Sequence, residues 1–267
     1  MAFYASHFTF DGVPCSKFDL EVYELSDMSH GDGSYAGVVS VIDEQMIVKP
    51  SPLFYGVQFE DKLTFSFVFG LNNRRIDIGE PMTRMEMDDI ATWLIGHDSY
   101  KYLTFEQSDL FDIRFKCMIT GLEPVTYGQM PWAMKATVMC DSPYAYRMPE
   151  TFSFIIDGER TVTVNNRSSH HGYYRPVIEF ISDSGCDLKI VNETDNSRTI
   201  SFSDVPLSVT NWTLNNDTMV LTNSAGLNIY DNFNKKSFRL KRGINRLKIS
   251  GHGTLKIYCE FYANVCG

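Results

Sequence analysis

The sequence predicts a mainly β protein in two parts: an N-terminal β domain crossed by one α-helix, then a C-terminal all-β sandwich. Three observations predict it. Apolar and polar residues alternate with period two in short runs along the whole chain. One segment alone combines the helical period with a cap at each end. Beyond residue 150 the runs shorten and turn signals recur about every 8–12 residues, the pattern of a sandwich.

In chain order, Asp11-Gly12 is a turn and residues 17–25 a half-buried strand, with Phe18, Leu20 and Val22 inward and Asp19 and Glu21 outward. His30-Gly31-Asp32-Gly33-Ser34 has the glycine content of a phosphate cradle. Neither Lys-Ser nor Lys-Thr follows it and no helix opens after it, so a surface loop is the better reading. Residues 38–48, 53–59 and 63–69 are three further strands, the last setting Leu63, Phe65, Phe67 and Phe69 on one core face. Asn72-Asn73-Arg74-Arg75 is a polar turn whose arginines either grip a carboxylate or, more simply, sit in solvent.

The helix follows. Thr83 and Glu86 form a T-x-x-E capping box, Met82 and Met87 occupy the staple positions, and Met87, Ile90, Ala91 and Leu94 recur at i, i+3, i+4 and i+7 before Gly96 ends the run. One such helix covers one open sheet face. Trp93, beside the apolar stripe, is expected in the core rather than at a subunit contact. Residues 100–105 and 113–119 are strands and 121–131 a long turn, while Trp132 is expected to be buried at a domain edge. Residues 135–140 form a strand with Ala136, Val138 and Cys140 on one face.

Pro143 lacks an N–H and drives Ser142 extended, so the ladder stops there and Ser142, Pro143 and Tyr144 form a candidate domain hinge. The expected division is a first domain over residues 1–146, a linker over 147–150 and a second domain over 151–267. In the second domain, residues 151–156 set Phe152, Phe154 and Ile156 on one face. Further strands are expected at 161–164, 176–181, 188–191, 199–202, 219–221, 227–230, 237–240, 245–249 and 254–262.

Charge is uneven. Residues 1–146 carry 21 acids and 10 bases, net −11, and residues 147–267 carry 12 acids and 14 bases, net +2. An acidic first domain argues against stable nucleic-acid binding there, because phosphate contacts need Lys and Arg. No apolar run approaches the roughly 18 residues of a membrane span, and residues 3–10 are too short and polar for a secretory leader, so synthesis in the cytoplasm is expected. The six cysteines include no C-x-x-C pair, and packing is their expected role.

Seven bases and no acid fall within residues 235–248: Lys235, Lys236, Arg239, Lys241, Arg242, Arg246 and Lys248 form a candidate basic docking patch. Docking against an acidic protein surface and a solvated hairpin are comparable readings, with a nucleic-acid site behind them. Four N-x-S/T sequons, at Asn166, Asn192, Asn211 and Asn216, read as composition alone. His170-His171 lies in a turn and Asp88-Asp89 in a helix, where acids suit the dipole. No nucleophile with its base, metal cluster or carboxylate pair stands out, so no catalytic, cofactor or metal residues are assigned and an enzyme is the minority hypothesis.

Several modest motifs, taken in order, resemble one family. They are Phe10-Asp11-Gly12-Val13 with Phe18-Asp19-Leu20, the helix Ile90-Ala91-Thr92-Trp93-Leu94 followed by Tyr102-Leu103, Cys140-Asp141-Ser142-Pro143-Tyr144-Ala145-Tyr146, and the late Gly243-Ile244-Asn245 turn. Their order and spacing resemble the distal tail protein of siphophage-type bacteriophages. The resemblance implies a tail-tube-like first domain with one α-helix, a galectin-like β-sandwich second domain, and a homo-hexameric ring in the virion at the phage tail tip. Implied partners are the tail tube protein, a tail-tip hub protein of the tail-associated lysin type, and, as a further candidate, a receptor-binding protein. DNA would pass through the channel without specific binding, and neither membrane nor cofactor is implied. An acidic channel wall would repel phosphate and let DNA slide. The second domain lacks an obvious long insertion of the kind that carries receptor-binding proteins, which suggests a plainer adaptor. The alternative is a carbohydrate-binding module recognising a bacterial cell-surface glycan, with Trp212, Tyr173 and Tyr174 as candidate stacking residues. A glycan hydrolase would need two acids facing across a cleft, and nothing in their order points to such a pair.

Overall fold

The computed structural model describes residues 5–25, 39–44, 53–59 and 62–265. The glycine-rich run 30–34 and Cys266 lie outside them. The chain divides into two units, one over Met1–Tyr146 with Asn264–Gly267 and one over Arg147–Ala263.

In the first unit the alternating runs become β1 (Phe8–Phe10), β2 (Val13–Pro14), β3 (Leu20–Leu25), β4 (Val39–Glu44), β5 (Leu53–Phe59) and β6 (Thr64–Leu71). After α1 (Asn73–Asp77) and α2 (Arg84–Leu94) come β7 (Lys101–Phe105), β8 (Ile113–Tyr127), β9 (Met130–Cys140) and β10 (Ala145–Arg147). The main sheet runs β2-β1-β7-β8-β9-β6-β3, with β10 also on β8, while β4 and β5 pair separately. Two expectations change here. The strand expected from residue 17 begins at Leu20, because Cys15–Phe18 coil into a 3-10 turn closed by Asp19 at φ 56°. The long turn expected over 121–131 is instead the outer half of a hairpin: β8 runs to Tyr127, reverses through Gly128 and Gln129 at positive φ, and pairs with β9 back to Met130. The cue was hidden because this half is exposed on both faces and loses its alternation.

The core face carries the aromatic residues that the alternation placed there. Phe8 meets Phe67 at 5.0 Å and Phe69 at 5.2 Å, and Phe65 meets Phe115 at 5.1 Å. Helix α2 lays buried Ile90 and Leu94 on the unit, and Trp93 stacks against both Phe8 at 5.5 Å and Phe18 at 4.8 Å, with its N–H donating to the Phe10 carbonyl. Trp93 is half-buried and packs against the core aromatics. The capping box is present in both directions. The residues expected to be a polar turn form α1 instead, capped by Asn72, and Arg75 is not in solvent: its side chain is only 18% exposed and its guanidinium donates to Glu86 at 2.5 Å. That hydrogen bond, acting against partial burial and aided by Thr83, pulls the Glu86 carboxyl down to about 2.

The second unit is all β. Its strands are β11 (Glu150–Asn166), β12 (Val177–Ile181), β13 (Leu188–Asn192), β14 (Arg198–Phe202), β15 (Asn211–Asn215), β16 (Val220–Asn223), β17 (Gly243–Cys259) and β18 (Tyr262–Ala263). Each end of the unit was expected as two short strands. Each is one 17-residue strand, and β11 and β17 pair antiparallel along their full length. Along its other edge β17 takes β13 over Leu247–Gly251 and β12 over Thr254–Tyr258, so two branches leave one spine. Glycine permits this: a Cβ on Gly253 would lie within van der Waals radii of the Ile181 carbonyl and 2.9 Å from Ser182. Strand β15 was not anticipated, and residues 227–230 and 237–240 form no strand. The core gathers Phe180, Phe202, Trp212, Leu214, Leu255 and Ile257, all at or near full burial.

Two outcomes follow from this packing. Gly253→Ala drives a methyl into backbone and should cost about 1–3 kcal/mol, whereas Gly121→Ala, whose methyl meets nothing nearer than 3.5 Å, should be tolerated; calorimetric melting of the full chain compares them. Glu86 is depressed, so its contribution is present above the ordinary carboxylate range and fades as pH falls through about 2. Glu86→Gln should lower the melting temperature near neutral pH and flatten its acid-side decline.

Candidate functional site

The basic run of residues 235–248 supplies most of the chain's concentrated charge, and its first part has no ladder to hold it. Between residues 235 and 242 the only sheet-type contact is the antiparallel bridge of Leu240 with Tyr174, closed by Tyr174 N–H to Leu240 O at 2.9 Å and Leu240 N–H to Tyr174 O at 2.8 Å. Buried backbone polar groups must nonetheless be paired. Side chains do it. Asn216 accepts from the Phe238 N–H at 2.6 Å, Asn192 donates to the Arg239 carbonyl at 3.0 Å, and Asn166 donates to the Leu240 carbonyl at 3.3 Å. Asn245 accepts from the Lys241 N–H at 2.9 Å and donates to the Lys241 and Gly243 carbonyls at 2.7 and 2.9 Å. Arg198 donates to the Ser237 carbonyl. All four asparagines are at most 1% exposed. Phe238 and Leu240 press into the core below, and the segment becomes a fixed strap.

Its charges are distributed by this anchoring. Asp195, whose side chain is fully buried, takes Arg239 through two hydrogen bonds at 2.6 and 3.3 Å and Lys241 at 3.8 Å. Burial opposes the Asp195 charge, but the Arg239 contact, Tyr173 and Lys241 outweigh it and hold the carboxyl below its ordinary value. The Arg239 guanidinium also lies 3.6 Å over the Tyr173 ring. Arg246 pairs with Glu193 at 2.8 Å, Lys248 with Glu159 at 2.9 Å and Lys235 with Asp231 at 3.6 Å. Lys236 and Arg242 are exposed, and among the described residues neither has a carboxylate partner. The seven bases are therefore no uniform patch, because acids from three other segments neutralise most of it.

The other candidates separate in space. Trp212 is fully buried, donates to the Cys186 carbonyl and stacks on Phe202 at 3.9 Å, so its ring has no face left for a sugar. This corrects the glycan-stacking assignment at that position. Tyr174 turns inward, with its ring 5.0 Å from Phe261 and its hydroxyl accepting from the Glu260 N–H, and burial raises its pKa. Tyr173 is 39% exposed but roofed by Arg239. Ser142, Pro143 and Tyr144 form the turn after β9, where the Ser142 hydroxyl donates to the Tyr144 carbonyl and accepts from its N–H. Beside them the Tyr146 hydroxyl reaches both Asp141 oxygens at 3.0 Å. The five described cysteines are free and buried. Sequence reading missed the anchors, although three of the four are sequon asparagines, and that repeated motif was the available signal.

Two family models span nearly the whole chain. One, described as a phage tail protein N-terminal domain, matches residues 3–142, and the other, described as a phage tail C-terminal domain, matches residues 144–259. The chain belongs to this phage tail family. No curated protein sequence matches it. Among solved structures, the tail protein is similar to the Dit (gp 19.1) protein of phage SPP1, titled a paradigm of the hub adsorption apparatus in phages infecting Gram-positive hosts. The TM-score is 0.64 at 13% identity, covering 97% of this chain and all of that one. It is also similar to a chain of the phage P2 baseplate in its activated conformation with Ca, with a TM-score of 0.50 at 10% identity, covering 96% and 98% of the two chains. At such identities the likeness is one of fold, and the mainly β, two-unit order of this tail protein is that fold.

The anchors make a direct prediction. Asn216→Ala or Asn245→Ala strands buried backbone groups and should cost about 1–3 kcal/mol each. Asn211→Ala, at the half-exposed sequon, should cost about 0.5 kcal/mol or less. Urea titrations of the three variants would read the difference.

Proposed function

We propose that this tail protein is a non-enzymatic structural hub: six copies close into a ring in the virion that joins the tail tube to the tail-tip hub or baseplate and surrounds the path of the DNA. The observation that carries the proposal is the likeness of fold to a hub protein over 97% of the chain, within a family of phage tail proteins. Two features of the first unit support it. Its outer hairpin bears Val125, Tyr127 and Met130 at 41%, 84% and 52% exposure, apolar area that a neighbouring subunit would cover. Its −11 charge suits a surface that DNA must pass and not hold. In this proposal the first unit, residues 1–146, forms the ring, residues 142–144 turn the chain out of it, and the second unit faces the tail-tip partners. The glycan-binding alternative is not favoured, since its central tryptophan lies in the core.

Light scattering of the purified chain across a concentration series, with negative-stain images, tests this. A six-fold ring with an open centre is expected, and Tyr127→Glu should shift the population toward monomer without lowering the melting temperature. A full-length chain that stays monomeric when mixed with its phage's tail tube and hub proteins would overturn the proposal.

A further inference from the structure

The strap and the segment beside it enclose a notch that the hub role does not use. Because Tyr174 and Leu240 bridge antiparallel, residues 171–173 run alongside residues 241–243, and a cavity of about 350 Å³ opens beside that pairing. Its walls are His171, Gly172, Tyr173, Lys241 and Arg242. We propose that this notch binds a phosphate group carried on a small polar molecule or polymer unit.

Arg239 and Lys241 share one carboxylate, that of Asp195, and Arg242 stands beside Lys241 in the cavity wall. Arg239 takes the carboxylate with two hydrogen bonds, while Lys241 reaches it only at 3.8 Å and keeps donors to spare. Arg242 packs against the His171 ring, with Nη1 3.4 and 3.5 Å from its two nitrogens, and has no carboxylate partner among the described residues. Two positive charges therefore remain uncompensated at the wall of a concave site. The backbone that carries both is fixed: Asn245 holds Lys241 by its N–H and its carbonyl, and Gly243 at φ 87° sets the bend after Arg242. A guanidinium fork and an ammonium point charge lining one cavity suit a tetrahedral oxyanion, which accepts in several directions, better than a planar carboxylate. The volume lies at the small end of the range for ligand sites, about 300–1,000 Å³, which fits one phosphorylated polyol or sugar unit.

Calorimetric titration of the full chain with glycerol 1-phosphate, inorganic phosphate and acetate tests the assignment, against Arg242→Gln and the double variant Lys241→Gln/Arg242→Gln. Arg242 is exposed and its loss leaves the Asp195–Arg239 pair intact, so the single variant keeps the fold, as a melting curve would verify. The expected result is phosphate binding that weakens at least about tenfold in the double variant. Tighter binding of the ester than of inorganic phosphate would identify a phosphate borne on a larger molecule, and equal binding a site that reads the phosphate alone; both support the proposal. No phosphate binding by the wild type, or binding unchanged in the double variant, would overturn it. Acetate or an acidic peptide binding as tightly as the phosphate ester would overturn it in favour of protein docking.

Discussion

The second unit depends on a requirement that sheets usually meet by themselves: every buried backbone N–H and C=O needs a partner. Strands β11 and β17 meet it along 17 residues of continuous ladder. The strap over residues 235–242 cannot, since it crosses the open side of the core with one bridge to its name. Four buried asparagines replace the missing strand, each offering a donor and an acceptor on a short stem. Because an amide carries no charge, it does this inside the core without the desolvation penalty that Asp195 incurs and Arg239 offsets. The apolar contacts of Phe238 and Leu240 then close the sandwich.

The first unit solves a related problem with charge. Between β6 and α2 the chain must turn through α1, and Arg75 joins the two by reaching Glu86, the same residue that caps α2 through Thr83. One carboxylate thereby fixes the start of the helix and its approach to the sheet. Trp93, held by its N–H to the Phe10 carbonyl, lands between the helix and the aromatic face of the sheet. Helix position and core packing are thus set by the same few side chains.

These arrangements explain what the sequence discloses and what it conceals. The capping box of Thr83 and Glu86, the alternation over residues 135–140 and the aromatic face of β6 are local signals, and each corresponds to an observed element. The family resemblance rested on spaced motifs and agrees with the family matches. Long-range facts were hidden. Gly158 and Gly251 fall in the gaps between the expected short strands, yet both lie inside long strands whose pairing is decided by a partner some 90 residues away in sequence, as Gly158 faces Gly251. The 235–248 run looked like a patch because its acids, Asp195, Glu193 and Glu159, come from elsewhere in the chain. Trp212 looked like a stacking residue because a tryptophan's burial is a property of its neighbours; β15 turns it inward onto Phe202.

The anchoring asparagines carry a consequence for where such a chain can be made. Asn166, Asn192 and Asn216 stand in N-x-S/T sequons, and each uses its side-chain amide nitrogen as a donor inside the folded unit. An oligosaccharyl transferase acts on that same nitrogen while the chain is still extended. In a eukaryotic secretory pathway, fold and glycan would compete for one atom at three places, and a sugar at Asn166 or Asn192 would remove a donor to the strap while one at Asn216 would break its bond to the Pro176 carbonyl. A compartment that lacks this modification would impose no such conflict, and the sequons would serve there as ordinary structural residues.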